Sequence, residues 1–310
     1  MKRAKIIKVL LVLLLVFSLS IKLTKANPVR LITIQSDGSV VPQTEYVKQE
    51  GNVYYLTQSL SPVRLVINCS NIVFDGQGYT INGSEYFVLG GNGITLENVN
   101  NVTIRDVIVV SFYEPSIYLS NCSDVTILRV QTDAKAGLVV DISGSIYLEE
   151  SNDNKIINCD TGVRVQSGSS NTIYGNNVTL LINSSNNLIY FNNINVNYYV
   201  DYYGKEKPYP IVQMGASFNR WDNGTYGNYW SSYNGQGVYE LDGNNIDHHP
   251  LTQRVDVPSI ISTPTATPYL PPRNAPHLEL IDYLLPISVI MAIIIVLSLL
   301  LYRRHRKTAN

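Results

Sequence analysis

The stretch Ile94-Thr-Leu-Glu-Asn-Val-Asn-Asn-Val-Thr-Ile104 decides the fold, because the chain repeats it as Ile117-Tyr-Leu-Ser-Asn-Cys-Ser-Asp-Val-Thr-Ile127. Each copy alternates apolar and polar residues, turns through a polar segment, and alternates again. Later copies run from Ile146-Tyr-Leu148 to Ile156 and from Val163-Arg-Val165 to Ile173. Aligned on the closing apolar residue, the units fall in a column of Phe74, Ile104, Ile127, Ile156, Ile173 and Ile189. A period of two sends alternate side chains to opposite faces, so each short strand is half-buried and unstable alone. Stacking successive coils in register covers the apolar face and supplies the backbone hydrogen bonds, which predicts an all-β parallel solenoid with coils over 64–196. The spacing between columns varies, so insertions are expected in loops around Phe112 to Pro115 and Asp133 to Ala136.

Two residues before the closing position lie Asn154, Asn171 and Asn187, preceded in earlier coils by Ile72, Val102 and Val125. Stacked amides donate and accept along the axis, so this column reads as an internal asparagine ladder. Five before the closing position lie Cys69, Val99 and Cys122. With Val99 between them, the two sulfurs are about two strand spacings apart, roughly 9 to 10 Å, too far to bond. The 3 cysteines of the chain include no CxxC spacing, and they read as buried thiols.

The ends of the chain carry a different kind of signal. Lys2, Arg3, Lys5 and Lys8 precede an apolar run from Val9 to Ile21, short for a membrane span, so residues 1–26 read as an export signal with small residues for cleavage after Ala26 or after Ser20. Residues 27–63 are assigned to N-terminal strands and a cap, and 197–256 to an aromatic-rich C-terminal cap. Pro258, Pro264, Pro268, Pro271, Pro272 and Pro276 lie among Ser and Thr, which makes 257–280 an extended stalk in which Thr263, Thr265 and Thr267 are candidates for O-linked sugar. The uncharged run Leu284 to Leu301 is long enough to cross a bilayer as a helix over 281–302. Arg303, Arg304, His305, Arg306 and Lys307 follow, and such a basic cluster places a tail at 303–310 in the cytoplasm and the body outside.

A net charge of −1, with Lys and Arg gathered near the termini, argues against a nucleic-acid partner. N-x-S/T sequons occur at Asn68, Asn82, Asn101, Asn121, Asn177, Asn183 and Asn223, all on the expected outer side of the membrane.

Further segments resemble a known family. Asn71-Ile-Val-Phe-Asp-Gly-Gln-Gly-Tyr79, the rung Asn98 to Val107, the segment Asn219-Arg-Trp-Asp-Asn-Gly-Thr-Tyr-Gly-Asn-Tyr-Trp-Ser-Ser-Tyr233 and the closing Asn245-Ile-Asp-His-His-Pro-Leu251 resemble the right-handed β-helix proteins grouped with NosD, the periplasmic copper-binding accessory protein of nitrous oxide reductase, in the variant carried by archaeal surface proteins. The leading segments Arg30 to Ser39 and Gly51 to Leu56 are similar as well. The resemblance covers roughly residues 29 to 251 and implies a right-handed parallel β-helix. It leaves the activity open, because one fold hosts many functions.

For copper, the expected outer part of the chain offers His248, His249, His277 and Met214, and adjacent His248 and His249 on extended chain point to opposite sides. No metal site or cofactor is expected. Gly235 to Asp242 is short and poor in acids, which argues against a calcium loop. A polysaccharide lyase or glycoside hydrolase needs paired carboxylates or clustered acids with a base, whereas Asp75, Glu97, Asp106, Asp124, Asp133, Asp141, Glu149, Glu150, Asp153 and Asp160 are scattered. The densest feature is aromatic. Trp221, Tyr226, Tyr229, Trp230 and Tyr233 are candidates for stacking on sugar rings, with closure of the solenoid end as the competing role. The expected function is therefore a membrane-anchored surface scaffold or glycan-binding module, with glycans or envelope proteins as partners. A β-helix lyase or hydrolase and a copper-related accessory protein are the alternatives.

Overall fold

Alternation in the repeat becomes alternation in burial: Ile94 and Leu96 are buried while Thr95 and Glu97 face outward, and the same holds for Ile117 and Leu119 against Tyr118 and Ser120. The computed structural model describes residues 30–83, 91–133, 145–196, 198–200, 206–208, 211 and 216–258, all within the first of the two units into which the chain divides, Met1–Pro264 and Thr265–Asn310. Among the described residues the protein is all-β, dominated by one 19-stranded, mostly parallel sheet wound as a solenoid. None of them forms a helix, and no helix long and apolar enough to cross a membrane is present among them. The expected export signal 1–26, the stalk beyond 258, the span 281–302 and the tail 303–310 lie outside the described residues.

Each coil contributes to three stacks of parallel strands. In the first, Ile32, Leu65, Ile94, Ile117, Ile146, Val163 and Leu180 are successive partners. In the second, the column aligned in the sequence is reproduced residue by residue: Tyr54 pairs with Phe74, Phe74 with Ile104, Ile104 with Ile127, Ile127 with Ile156, Ile156 with Ile173 and Ile173 with Ile189. The third carries Ile81, Val109, Thr132, Thr161, Val178, Ile194 and Trp230, with the Thr132 and Thr161 hydroxyls bonded to each other at 2.8 Å. Parallel stacking extends beyond 64–196, starting at Arg30–Ile34 and reaching a bridge between Tyr229 and Leu251.

Sharp corners separate the stacks, and the corner residue adopts positive φ: Asn101 (51°), Asp124 (52°), Asp153 (58°), Ser170 (59°) and Asn186 (61°) at one corner, Asp106 (52°), Arg129 (50°), Asn158 (54°) and Gly175 (71°) at the next. Asn, Asp and Gly tolerate this region best, which accounts for their abundance in the repeat. From Val125 and Val130 onward the residue after the corner turns inward, and a side chain of the following coil accepts its N–H. Asn154 N donates to Asn171 Oδ1 at 3.0 Å and Asn171 N to Asn187 Oδ1 at 3.0 Å. The Nδ2 groups bridge the same pairs at 3.1 and 3.0 Å, and the ladder continues to Asn219 at 3.1 Å.

A second ladder stands at the next corner, where Asn176 and Asn192, each three residues after the closing column, and Asn228 of the longer last coil are bonded in series at 2.9 Å. Cys159 occupies that column one coil earlier. Its N–H donates to Asn176 Oδ1 and its Sγ accepts from Val130 N at 3.4 Å. Cys159 is thus a weak-acceptor member of the ladder, fully buried, with burial pushing its thiol up to about 12. Cys122 is also buried, whereas Cys69, expected inside, is only half-buried because it lies on the loop after Val63–Ile67.

Asn171 uses its whole hydrogen-bonding capacity: Nδ2 donates to Asn187 Oδ1 and Ser151 O, and Oδ1 accepts from Asn154 N and Nδ2. Replacing it by Leu orphans several buried groups, each costing about 1–3 kcal/mol. Asn171→Leu is expected to lower the unfolding free energy by several kcal/mol in a urea titration, and Asn176→Leu comparably; a midpoint unchanged in both variants contradicts the ladder's role.

Candidate functional site

The aromatic cluster expected to bind a ligand divides into core and surface. Trp221 and Trp230 are 0% and 1% exposed, so neither forms part of a binding surface, contrary to the expectation from sequence. The reason is register. A bridge from Leu188 to Arg220 sets Trp221 next to Ile189 in the inner column, and Ile194 pairs with Trp230 in the third stack. The two indoles, 5.5 Å apart, fill the last coil, and the ring of Tyr239 stacks on Trp230 at 4.3 Å. Their N–H groups donate to Asn245 Oδ1 and Asp247 Oδ2. Tyr229 and Tyr233 are half-buried, and Tyr226 is exposed with its ring edge-on to Phe191.

Asp247 terminates the second ladder. Its carboxylate accepts from Asn228 N at 2.7 Å, Trp230 Nε1 at 2.8 Å and His249 N at 3.0 Å, and burial pushes its carboxyl above the ordinary range against the pull of those donors. A carboxylate has no N–H of its own to satisfy, which suits the last rung of an amide ladder. His248, at the surface, lies 3.3 Å from Asp222. Among the described residues no group of three or more His, Cys, Asp or Glu is placed to hold a metal; His277 and Met214 lie outside them.

Three acids of the coils are held by separate partners. Asp75 holds Arg105 at 2.8 Å, Asp106 holds Arg129 through both oxygens at 2.6 and 2.7 Å, and Asp133 accepts from Ser111 N at 2.6 Å. The Asp75–Arg105 pair floors an open groove of about 370 Å³ on the outside of the second stack, between Glu50, Tyr55, Gln77 and Tyr79.

The outer face of the first stack carries a row of aromatic and polar side chains. Register aligns Thr95, Tyr118, Tyr147 and Arg164 on successive coils, beside a second row of Glu97, Ser120, Glu149 and Gln166. The Tyr118 and Tyr147 rings are 5.6 Å apart, and the Arg164 guanidinium lies 5.2 Å from the centre of the Tyr147 ring. Arg164 Nη2 donates to Gln166, and the Tyr118 hydroxyl donates to Glu149. Burial and the Glu149 carboxylate push the Tyr118 phenol up to about 12, so it remains a donor at every physiological pH. Arg164 Nε is buried with no hydrogen-bond partner among the described residues. Beyond Arg164 the row ends at Leu181, 6% exposed, where the backbone of Ile211 accepts from Ile182 N.

The sequence carried both rows in its alternation, since Tyr118, Tyr147 and Arg164 each stand one residue after an inward Ile or Val. The same alignment held the second ladder, three residues after the closing column.

Trp230→Ala removes a fully buried indole and one donor to Asp247. The expected effect is a loss of about 3–5 kcal/mol, read as a lower thermal midpoint, with the strand signal of the remaining coils retained below it.

Compared with known proteins, the chain matches no family model, no curated protein and no solved structure.

Proposed function

We propose that the chain is an exported, membrane-anchored surface protein whose body, a NosD-like right-handed β-helix, binds an extended glycan along the outer face of the first stack. The observation that carries this reading is the row Tyr118, Tyr147 and Arg164 with Glu149 and Gln166 beside it. Aromatic faces take the apolar face of a sugar ring, while the carboxylate, amide and guanidinium bond its hydroxyls. The repeat of the coils matches a repetitive ligand: strands about 4.8 Å apart present similar groups at regular intervals along a polymer.

Right-handed winding is supported by the strong preference of parallel crossovers for that hand, and NosD-like membership by the segments quoted above. Export and anchoring rest on the Val9 to Ile21 and Leu284 to Leu301 runs and the basic tail. Glu149, beside the tyrosines, is bonded to the Tyr118 hydroxyl, and among the described residues no second carboxylate is paired with it, which favours binding over cleavage.

Glycan-array binding of the full-length protein in detergent tests the site. Tyr147→Ala is expected to weaken retention about three- to tenfold, the equivalent of one ring contact, with no reducing ends or unsaturated sugars released over time. Unaltered retention in that variant places the ligand elsewhere, and accumulating product makes the protein an enzyme. For topology, protease added to intact cells is expected to remove the body and spare a tag placed after Asn310; digestion of the tag reverses the orientation.

A further inference from the structure

Among the described sequons, only that at Asn223 combines an exposed loop, a free amide nitrogen and an engaged amide oxygen. The inner positions Ile189 and Asn192 are three apart, whereas Trp221 and Asn228 are seven apart, so the last coil bulges outward as a loop at this corner. Asn223, Gly224, Thr225 and Tyr226 are all exposed, and a side chain at Gly224 would meet nothing within 4 Å. Asn223 Oδ1 accepts from Thr225 N at 3.0 Å and Tyr226 N at 2.9 Å, which bends the sequon into a surface turn. Its Nδ2 makes no hydrogen bond among the described residues, and Thr225 stands beside it at the surface.

The other sequons are engaged by the solenoid itself. Asn101 Nδ2 donates to Asn71 at 2.9 Å and Asn121 Nδ2 to Asn98 at 2.7 Å, both from corners of positive φ. Asn177 and Asn183 lie in the strand Asn177–Asn183, which pairs along its length with Asp160–Gln166, and Asn82 lies in the strand Thr80–Asn82. Asn68 is exposed, but its N–H is bonded to Ile34 O and the Ser70 hydroxyl accepts from Asn100 N at 3.0 Å. Drawing any of these into an enzyme groove breaks ladder or backbone hydrogen bonds; drawing in the loop at Asn223 breaks none of the coil pairings.

We infer that Asn223 is the acceptor that the folded chain presents to an oligosaccharyltransferase. The donor is a lipid-linked oligosaccharyl diphosphate. Asn223 Nδ2 attacks the anomeric carbon, a C–N bond forms as the C–O bond to diphosphate breaks, the lipid diphosphate departs with the electron pair, and the nitrogen's proton passes to a base of the transferase. Modification in the cell rests on the proposed export; presentation by the fold does not.

Two measurements separate these. The purified, folded full-length chain is incubated with a single-subunit oligosaccharyltransferase and lipid-linked oligosaccharide, and the products are mapped by mass spectrometry. Modification is expected at Asn223, lost in Asn223→Gln and Thr225→Ala and retained in Thr225→Ser, with Asn101, Asn121 and Asn177 modified only after denaturation. Absence of sugar at Asn223, or equal modification of Asn101 or Asn177 in the folded chain, overturns the assignment. Peptide mapping of the chain from its own membrane is the second measurement. A bare Asn223 there, together with modification of the purified chain, upholds the acceptor and counts against export.

Discussion

The structure depends on how each coil closes its corners. A chain that turns three times per coil must place residues at positive φ, and the residue following each turn points an N–H into the core where no strand partner reaches it. An unpaired buried N–H is costly, so every corner needs an acceptor from the next coil. In the later coils that acceptor is an asparagine amide at two of the corners, Asn154 to Asn219 in one column and Asn176 to Asn228 in the other. Elsewhere smaller devices serve: Ser151 Oγ takes the Cys122 N–H at the corner after Asn121, and Cys159 Sγ takes that of Val130. The apolar columns contribute most of the burial, but the corner bonds fix the register that brings those columns together.

A solenoid built this way is open at both ends, and the two ends are closed differently. At the N-terminal end the strands Val40–Val41 and Val47–Glu50 pair antiparallel with Arg30–Ile34 and Val53–Leu56, and Lys48, Gln49 and Glu50 leave a charged, polar edge unsuited to further pairing. At the C-terminal end two indoles replace the aliphatic residues of the last coil, and Asp247 accepts the final amide of the ladder. This explains why the aromatic residues concentrate there. A terminal coil has no successor to cover it, so large side chains with one polar atom each fill the volume and remain hydrogen-bonded.

The functional reading follows from what closure leaves free. Residues committed to ladders, corners and caps are satisfied internally, and so are Asp75 and Asp106, held by Arg105 and Arg129. The outer face of the first stack is where rings, a guanidinium and polar groups lie side by side without serving the core. The loop at Asn223 is likewise extra to the coil, present only because the last turn is longer than the one before it.

Alternation, the closing column from Phe74 to Ile189 and the amides of Asn154, Asn171 and Asn187 were determined by the sequence alone, because a period of two admits only one side for each residue and identical residues at one register position stack. The second ladder was equally present in the spacing, three residues further on, but it starts from Val107, Val130 and Cys159, so the column reads as apolar until its last coils. Whether an aromatic residue faces inward or outward was decided only by the tertiary structure. Trp221 and Trp230 lie in a segment where the repeat length changes, and inward or outward placement there depends on pairing with Leu188 and Ile194 from the preceding coil. The row of Tyr118, Tyr147 and Arg164 likewise comes from residues distant along the chain, and only the stacking of three coils makes them neighbours.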